Sequence, residues 1–445
     1  MSYMKAIPWN EIEWPYHNHY PNEDIIFSDE LLRLKTNSKS LEVHGSLLLT
    51  FIPRARLLIK TNASPEVAIS IFLNTNIIQI EVDRYNICFD AILLQLTDNG
   101  IILCPTKEPL LLGKGSDDLT KVRFYIPNYV NFFGDQDVVL VKAEENTQRY
   151  TRLGAITLEI DEWELNLFAR SDISTIIDVL KSTGGYGVTH LGLLERKDGK
   201  SFTFDQASQL FTALYYYLSF CRGFFTGPIL LQGYDANNSL SLQEVGIGHI
   251  NPWTTTSNWF DYHHGELISS IFPNFWKMYN QETWHKTLKK AIYWYVRGNN
   301  QEGGLDGAII LLQAALELLA WVYLVDESKA ISKSGFGKVP ACDQIRLLLS
   351  MLNIPLEIPQ ELGELKKLSK SFSWEDGADA ISQIRNSIVH PKKIKAKIPY
   401  MEAWRLCLWY LELVFLRLFG HNGVYSNRLK ARWVGEVEIV PWSVK

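Results

Sequence analysis

Cysteine is sparse in this 445-residue chain. There are five, at 88, 104, 221, 342 and 407, an odd number with no Cys-x-x-Cys spacing. Neither a disulfide frame nor a zinc knuckle is suggested by that pattern. The longest apolar stretches are interrupted by Glu, Gln or Arg, so no membrane span is expected. The first twenty residues, MSYMKAIPWNEIEWPYHNHY, lack the basic-then-apolar order of a signal peptide. A reducing cytoplasm is the expected compartment. A basic surplus is missing too: the net charge is −5, which excludes a basic nucleic-acid coat but leaves room for a local basic patch. No Gly-Lys-Ser/Thr follows the glycines before His190, so they form no P-loop, and Ser219 and Ser239 sit in no Gly-x-Ser-x-Gly elbow.

What is present is ample apolar content, 47% of residues, with 21% charged. That composition supports packed cores, and the length calls for two or three of them. Tryptophan is abundant at 14 residues, and most should be buried anchors. A coplanar exposed row of them would instead indicate carbohydrate binding.

The expected fold class is multidomain α+β. Residues 1–171 read as an N-terminal all-β domain: short strands at 41–53, 67–74, 77–85, 91–97, 121–129 and 137–142, then two more around Asp161-Glu162. Residues 172–260 read as a small α+β module, with helices at 172–183 and 205–222, a hairpin over 188–203 turning at Lys197-Asp198-Gly199, and a strand at 228–233. Connecting helices follow over 261–300, near 263–271 and 281–298. Residues 301–425 read as a helical bundle, with helices near 305–325, 341–353, 360–369, 377–389 and 398–420. Residues 426–445 form a strand-like tail.

The chemical lead is Gln383-Ile384-Arg385-Asn386-Ser387-Ile388-Val389-His390-Pro391. An Arg followed by a His four to six residues on recurs about once by chance in such a composition, so the spacing alone says nothing. Context adds meaning. The motif closes a helix, and Pro391 disfavours helical backbone at His390. Inside a helix the two side chains would diverge by roughly 140°; a break at His390 frees the imidazole to turn toward Arg385. Four lysines follow at once, Lys392, Lys393, Lys395 and Lys397, able to hold phosphates or simply to solvate a turn. Upstream, Gln313 and Glu317 interrupt an apolar helix, where Glu317 is expected to pair with Arg385 or Arg405. The adjacent His263-His264, with no thiol or third His nearby, is a poor metal site.

Arg385-Asn386-xxx-His390, late in a bundle whose first helix carries Ala315-Leu316-Glu317, resembles the HEPN superfamily over about residues 300–425. The whole arrangement, a long β-containing region before such a tail, resembles ApeA-type anti-phage proteins. The resemblance implies a regulated endoribonuclease that needs no metal or cofactor. Arg385, His390 and Asn386 would form its site, composite across a homodimer, with Glu317 in support. RNA is the implied partner, and a phage-derived or small-molecule trigger would act through the upstream region. The chemistry is self-consistent. RNA brings its own nucleophile in the 2′-hydroxyl, a His can move its proton, and an Arg fork can hold the phosphate. The alternative is a non-catalytic HEPN scaffold, dimerising through the bundle while the β region binds a partner. Accessible Arg385 and His390 side chains favour the nuclease; burial in separate hydrogen bonds favours the scaffold.

Overall fold

The computed structural model describes residues 14–16, 19–36, 39–64, 66–67, 76–113, 117–140, 148–390, 397–430 and 433–443. The chain divides into two compact units. The first holds residues 1–212 and 226–254, the second 213–225 and 255–445. The N-terminal region is β-rich and the C-terminal region helical.

The first unit begins with a closed antiparallel barrel of six strands: β1 (Ile25–Lys35), β2 (Ser40–Thr50), β3 (Arg56–Thr61), β4 (Ile77–Val82), β5 (Ile87–Thr97) and β6 (Gly100–Pro105), ordered β1-β2-β3-β6-β5-β4. The strand β4 shows why it closes. Ile78, Ile80 and Val82 point inward and are buried, while Ile77, Gln79 and Glu81 alternate outward. At the closing seam Arg33 lies opposite Glu81 and pairs with it at 2.9 Å.

A seven-stranded antiparallel sheet follows, ordered β11-β12-β13-β8-β14-β15-β7. Its members are β7 (Leu110–Gly113), β8 (Lys121–Pro127), β11 (Ala155–Ile160), β12 (Trp163–Ala169), β13 (Val188–Arg196), β14 (Ile229–Tyr234) and β15 (Leu240–Val245). The strands β9 (Phe133–Leu140) and β10 (Gln148–Leu153) form a separate two-stranded antiparallel sheet among the described residues. Helix α1 (Ile173–Thr183) lies between β12 and β13 in the chain.

Two expectations are corrected here. The boundary at 171/172 separates nothing, because strands from both sides of it share one sheet. The hairpin over 188–203 does not form. Both edges of β13 are occupied, by β12 and β8, so the returning segment finds no free edge and makes a single bridge, Phe202 with Leu119. The expected strand at 67–74 lies almost wholly outside the described residues; Glu66 and Val67 are helical. Strands β1, β3, β6, β7 and β15 had no counterpart in the sequence reading.

Helix α2 (Phe204–Arg222) divides at Thr212/Ala213, its second half belonging to the helical unit. There Phe220 packs against Trp259, Tyr295, Phe415 and Phe419 at ring distances of 5.1 to 5.8 Å. The rest of the unit comprises α3 (Glu266–Tyr279), α4 (Glu282–Asn299), α5 (Gly304–Trp321), the short α6 (Lys333–Phe336), α7 (Ala341–Met351), α8 (Gly363–Phe372), α9 (Gly377–Val389) and α10 (Tyr400–Leu418). Wider turns over Val322–Glu327 continue α5. Contrary to the sequence expectation, Gly304–Glu327 is long and apolar enough to cross a membrane, but 61% of its most apolar window is buried within the protein. The tail shrinks to the pair Val424–Tyr425 with Glu438–Ile439. Among the described tryptophans only Trp433 is exposed, so no exposed Trp row occurs in the described β region.

Candidate functional site

The helix α9 starts at a built cap. Asp376 accepts a hydrogen bond from the Asp379 backbone N–H at 2.9 Å and pairs with Arg346 of α7. Position 377 must be Gly, since a Cβ there would run into the Tyr410 hydroxyl of α10. Ala378, Ala380, Ile381 and Ile384 then face the core, and Gln383 faces solvent. This periodicity sets the exposure of the residues that follow.

Arg385 and Asn386 are half-buried, and His390 is exposed. The His390 backbone leaves the helix (φ −128°, ψ 80°), as a residue before proline should, while its N–H still donates to the Asn386 carbonyl at 2.8 Å. Arg385 Nη1 approaches Asn386 Oδ1 at 3.4 Å, a long and weak contact. The Arg385 guanidinium has no carboxylate within ion-pair distance and donates to no backbone carbonyl among the described residues. It does not serve as a cap for its own helix end. Among the described residues, neither the Arg385 nor the His390 side chain is locked in a separate buried hydrogen bond.

The expected pairing of Glu317 is overturned. Glu317 accepts from Gln313 Nε2 at 2.7 Å, one turn back on α5. Arg405 instead donates to the Arg428 and Leu429 carbonyls at 2.9 and 2.8 Å. The Gln313 amide N–H reaches Glu317 along one helix, ahead of either cation. Of the four lysines, Lys397 is exposed; Lys392, Lys393 and Lys395 lie outside the described residues.

Sequence reasoning singled out Gln313 but not Ser382, which is buried on α9. Ser382 Oγ, one turn before Arg385, and Gln313 Oε1 are buried without a hydrogen-bond partner among the described residues. The signal was a polar residue at a core-facing helical position. Elsewhere, His264 Nδ1 lies 2.9 Å from Glu266 Oε1 and the His263 ring packs edge-on against Tyr262. Among the described residues, no three His, Cys, Asp or Glu side chains are grouped to hold a metal ion.

The helical unit is anchored at its centre by a buried ion pair. Glu412 of α10 receives Arg428 through Nε at 2.8 Å and Nη2 at 2.6 Å, and the Tyr295 hydroxyl of α4 at 2.7 Å. Arg428 also reaches Asn299 Oδ1 at 3.0 Å and the Ser257 carbonyl at 2.7 Å. Burial drives the Tyr295 hydroxyl pKa well above its ordinary value.

The chain is thus a multidomain protein, β-rich at its N-terminus and helical at its C-terminus, carrying an Arg-Asn-xxx-His helix end. It belongs to the YopA family. Residues 281–439 match the YopA C-terminal domain and residues 114–256 the YopA central domain. It is 30% identical over 417 residues to the SPbeta prophage-derived uncharacterized protein YopA of Bacillus subtilis (strain 168), covering 91% of this chain and 92% of that one. The central domain coincides with most of the seven-stranded sheet, and the C-terminal domain with the unit from α4 onward. No solved structure matches the chain significantly.

Proposed function

We propose that this chain is a regulated, metal-independent endoribonuclease of the HEPN type. Arg385 and His390 would act as a composite site with their counterparts in a homodimer. The observation that carries the reading is an accessible guanidinium, without a neutralising carboxylate among the described residues, on the same helix end as an exposed imidazole.

In this reading His390 takes the 2′-hydroxyl proton. O2′ attacks phosphorus, the P–O5′ bond breaks, and a protonated imidazole returns a proton to the leaving 5′ oxygen. Arg385 carries the negative charge that builds on the phosphoryl oxygens. Asn386 orients the guanidinium, and Lys397 with Lys392, Lys393 and Lys395 holds flanking phosphates. The products are 2′,3′-cyclic phosphate and 5′-hydroxyl ends, and DNA is not cut. The β-rich region would restrain or trigger the activity. A role in conflict between bacteria and phages agrees with the prophage origin of the relative.

The test is cleavage of end-labelled RNA by the purified full chain. His390→Ala is expected to lower the rate by about 10²–10⁴-fold with unchanged melting temperature. Arg385→Lys should also fail, since a point charge does not replace a planar fork. EDTA should leave cleavage unchanged. Equal cleavage by wild type and His390→Ala sinks the assignment; a dimer that never cuts leaves the scaffold alternative.

A further inference from the structure

Helix α4 is amphipathic in an uncommon way. Trp284, Leu288, Ala291, Ile292 and Tyr295 face the core. At about 100° per residue, Lys286, Lys289, Lys290, Tyr293, Trp294 and Arg297 fall within an arc of about 140° on the outward side. The cations and rings on this face interleave. Lys290 Nζ lies 4.7 Å from the Trp294 ring centre, Arg297 Cζ 5.0 Å from that of Tyr293, and Lys289 Nζ 5.6 Å from that of Tyr216, on the second half of α2. Tyr293 is 40% exposed. Arg297 is paired with Glu302. Lys286, Lys289 and Lys290 have no ion-pair partner among the described residues, although exposed Glu282 stands one turn before them.

We propose that this face of α4 binds single-stranded nucleic acid, the three lysines following the phosphates while Tyr293 and Trp294 stack on unpaired bases. Backbone charge and sequence-tolerant stacking are the two requirements of such a surface, and both are met along one helix. An anionic membrane is the weaker occupant. A helix lying in a bilayer interface needs protruding apolar residues, and this face carries none beyond its two rings, which already sit against cations. The face does not depend on Arg385 or His390, so it stands or falls separately from cleavage.

The test uses the full chain carrying His390→Ala, with anisotropy of fluorescein-labelled oligouridylate and oligodeoxythymidylate. A blunt RNA duplex and vesicles of equal parts phosphatidylserine and phosphatidylcholine serve as comparators. Both single strands should bind, and more tightly than the duplex. The triple variant K286E/K289E/K290E should weaken binding at least about 10-fold and flatten the salt dependence by about two units of slope. Trp294→Ala should weaken it about 5- to 100-fold. The lysine-to-arginine triple should retain binding, with all melting temperatures unchanged. Equal affinity of wild type, the charge-reversed triple and Trp294→Ala overturns the proposal. So does vesicle binding without oligonucleotide binding, or a duplex bound as tightly as a single strand. Absence of RNA cleavage by the wild-type chain, with this binding intact, would damage only the Arg385–His390 reading.

Discussion

Among single residues, Glu412 and Arg428 show how costly a buried charge is to leave alone. Both are nearly inaccessible, and each satisfies the other through two short contacts. Replacing one partner strands the other in a low-dielectric interior. Glu412→Gln keeps the shape and removes the charge, and it should cost about 3–5 kcal/mol in chemical denaturation. A loss below about 1 kcal/mol would mean that Arg428 finds water instead. The contrast with Arg385 is informative. Arg385 is half-buried and has no carboxylate partner among the described residues. Its identity was legible in the sequence because Pro391 and the helix end are local signals. Glu317 misled because helix–helix pairing is not local: Gln313, four residues earlier, reaches it first.

For the secondary-structure elements, helices were legible and strands less so. The expected helix at 377–389 coincides with α9, and that at 281–298 is within a residue of α4, because apolar periodicity and the Asp-Gly and Gly-Gly punctuation are carried by neighbouring residues. Strands β1, β3, β6, β7 and β15 were missed, since a strand is completed by partners far along the chain. The strand β15 also carries a titrating group. Glu244 has no hydrogen-bond or ion-pair partner among the described residues, and burial raises its carboxyl pKa from 4.5 to about 7. A raised carboxyl favours the folded state while it is protonated. That contribution is fully present below about pH 4.5 and is lost as pH rises through about 7. Glu244→Gln should therefore melt higher than wild type above pH 7 and near equal to it at pH 4. A difference that grows toward acid would contradict this sign.

In the molecule as a whole, the division into units does not follow chain order. The segment 213–225 belongs with residues 255–445, and Phe220 fills a cage of four aromatic rings there. A fragment of residues 255–445 should therefore be poorly soluble and melt well below the full chain. A synthetic peptide of residues 213–225 should raise its melting temperature; no shift at saturating peptide would show that the cage closes without Phe220. The sequence by itself determined the order of β-rich then helical regions and the helix end at His390, because backbone propensity, periodicity and proline sterics act within a few residues. Only the tertiary structure decided barrel closure, the single sheet spanning residue 171, the partner of Glu317 and the loan of half a helix to the second unit. Those depend on which distant edges and cavities remain free once the rest has packed.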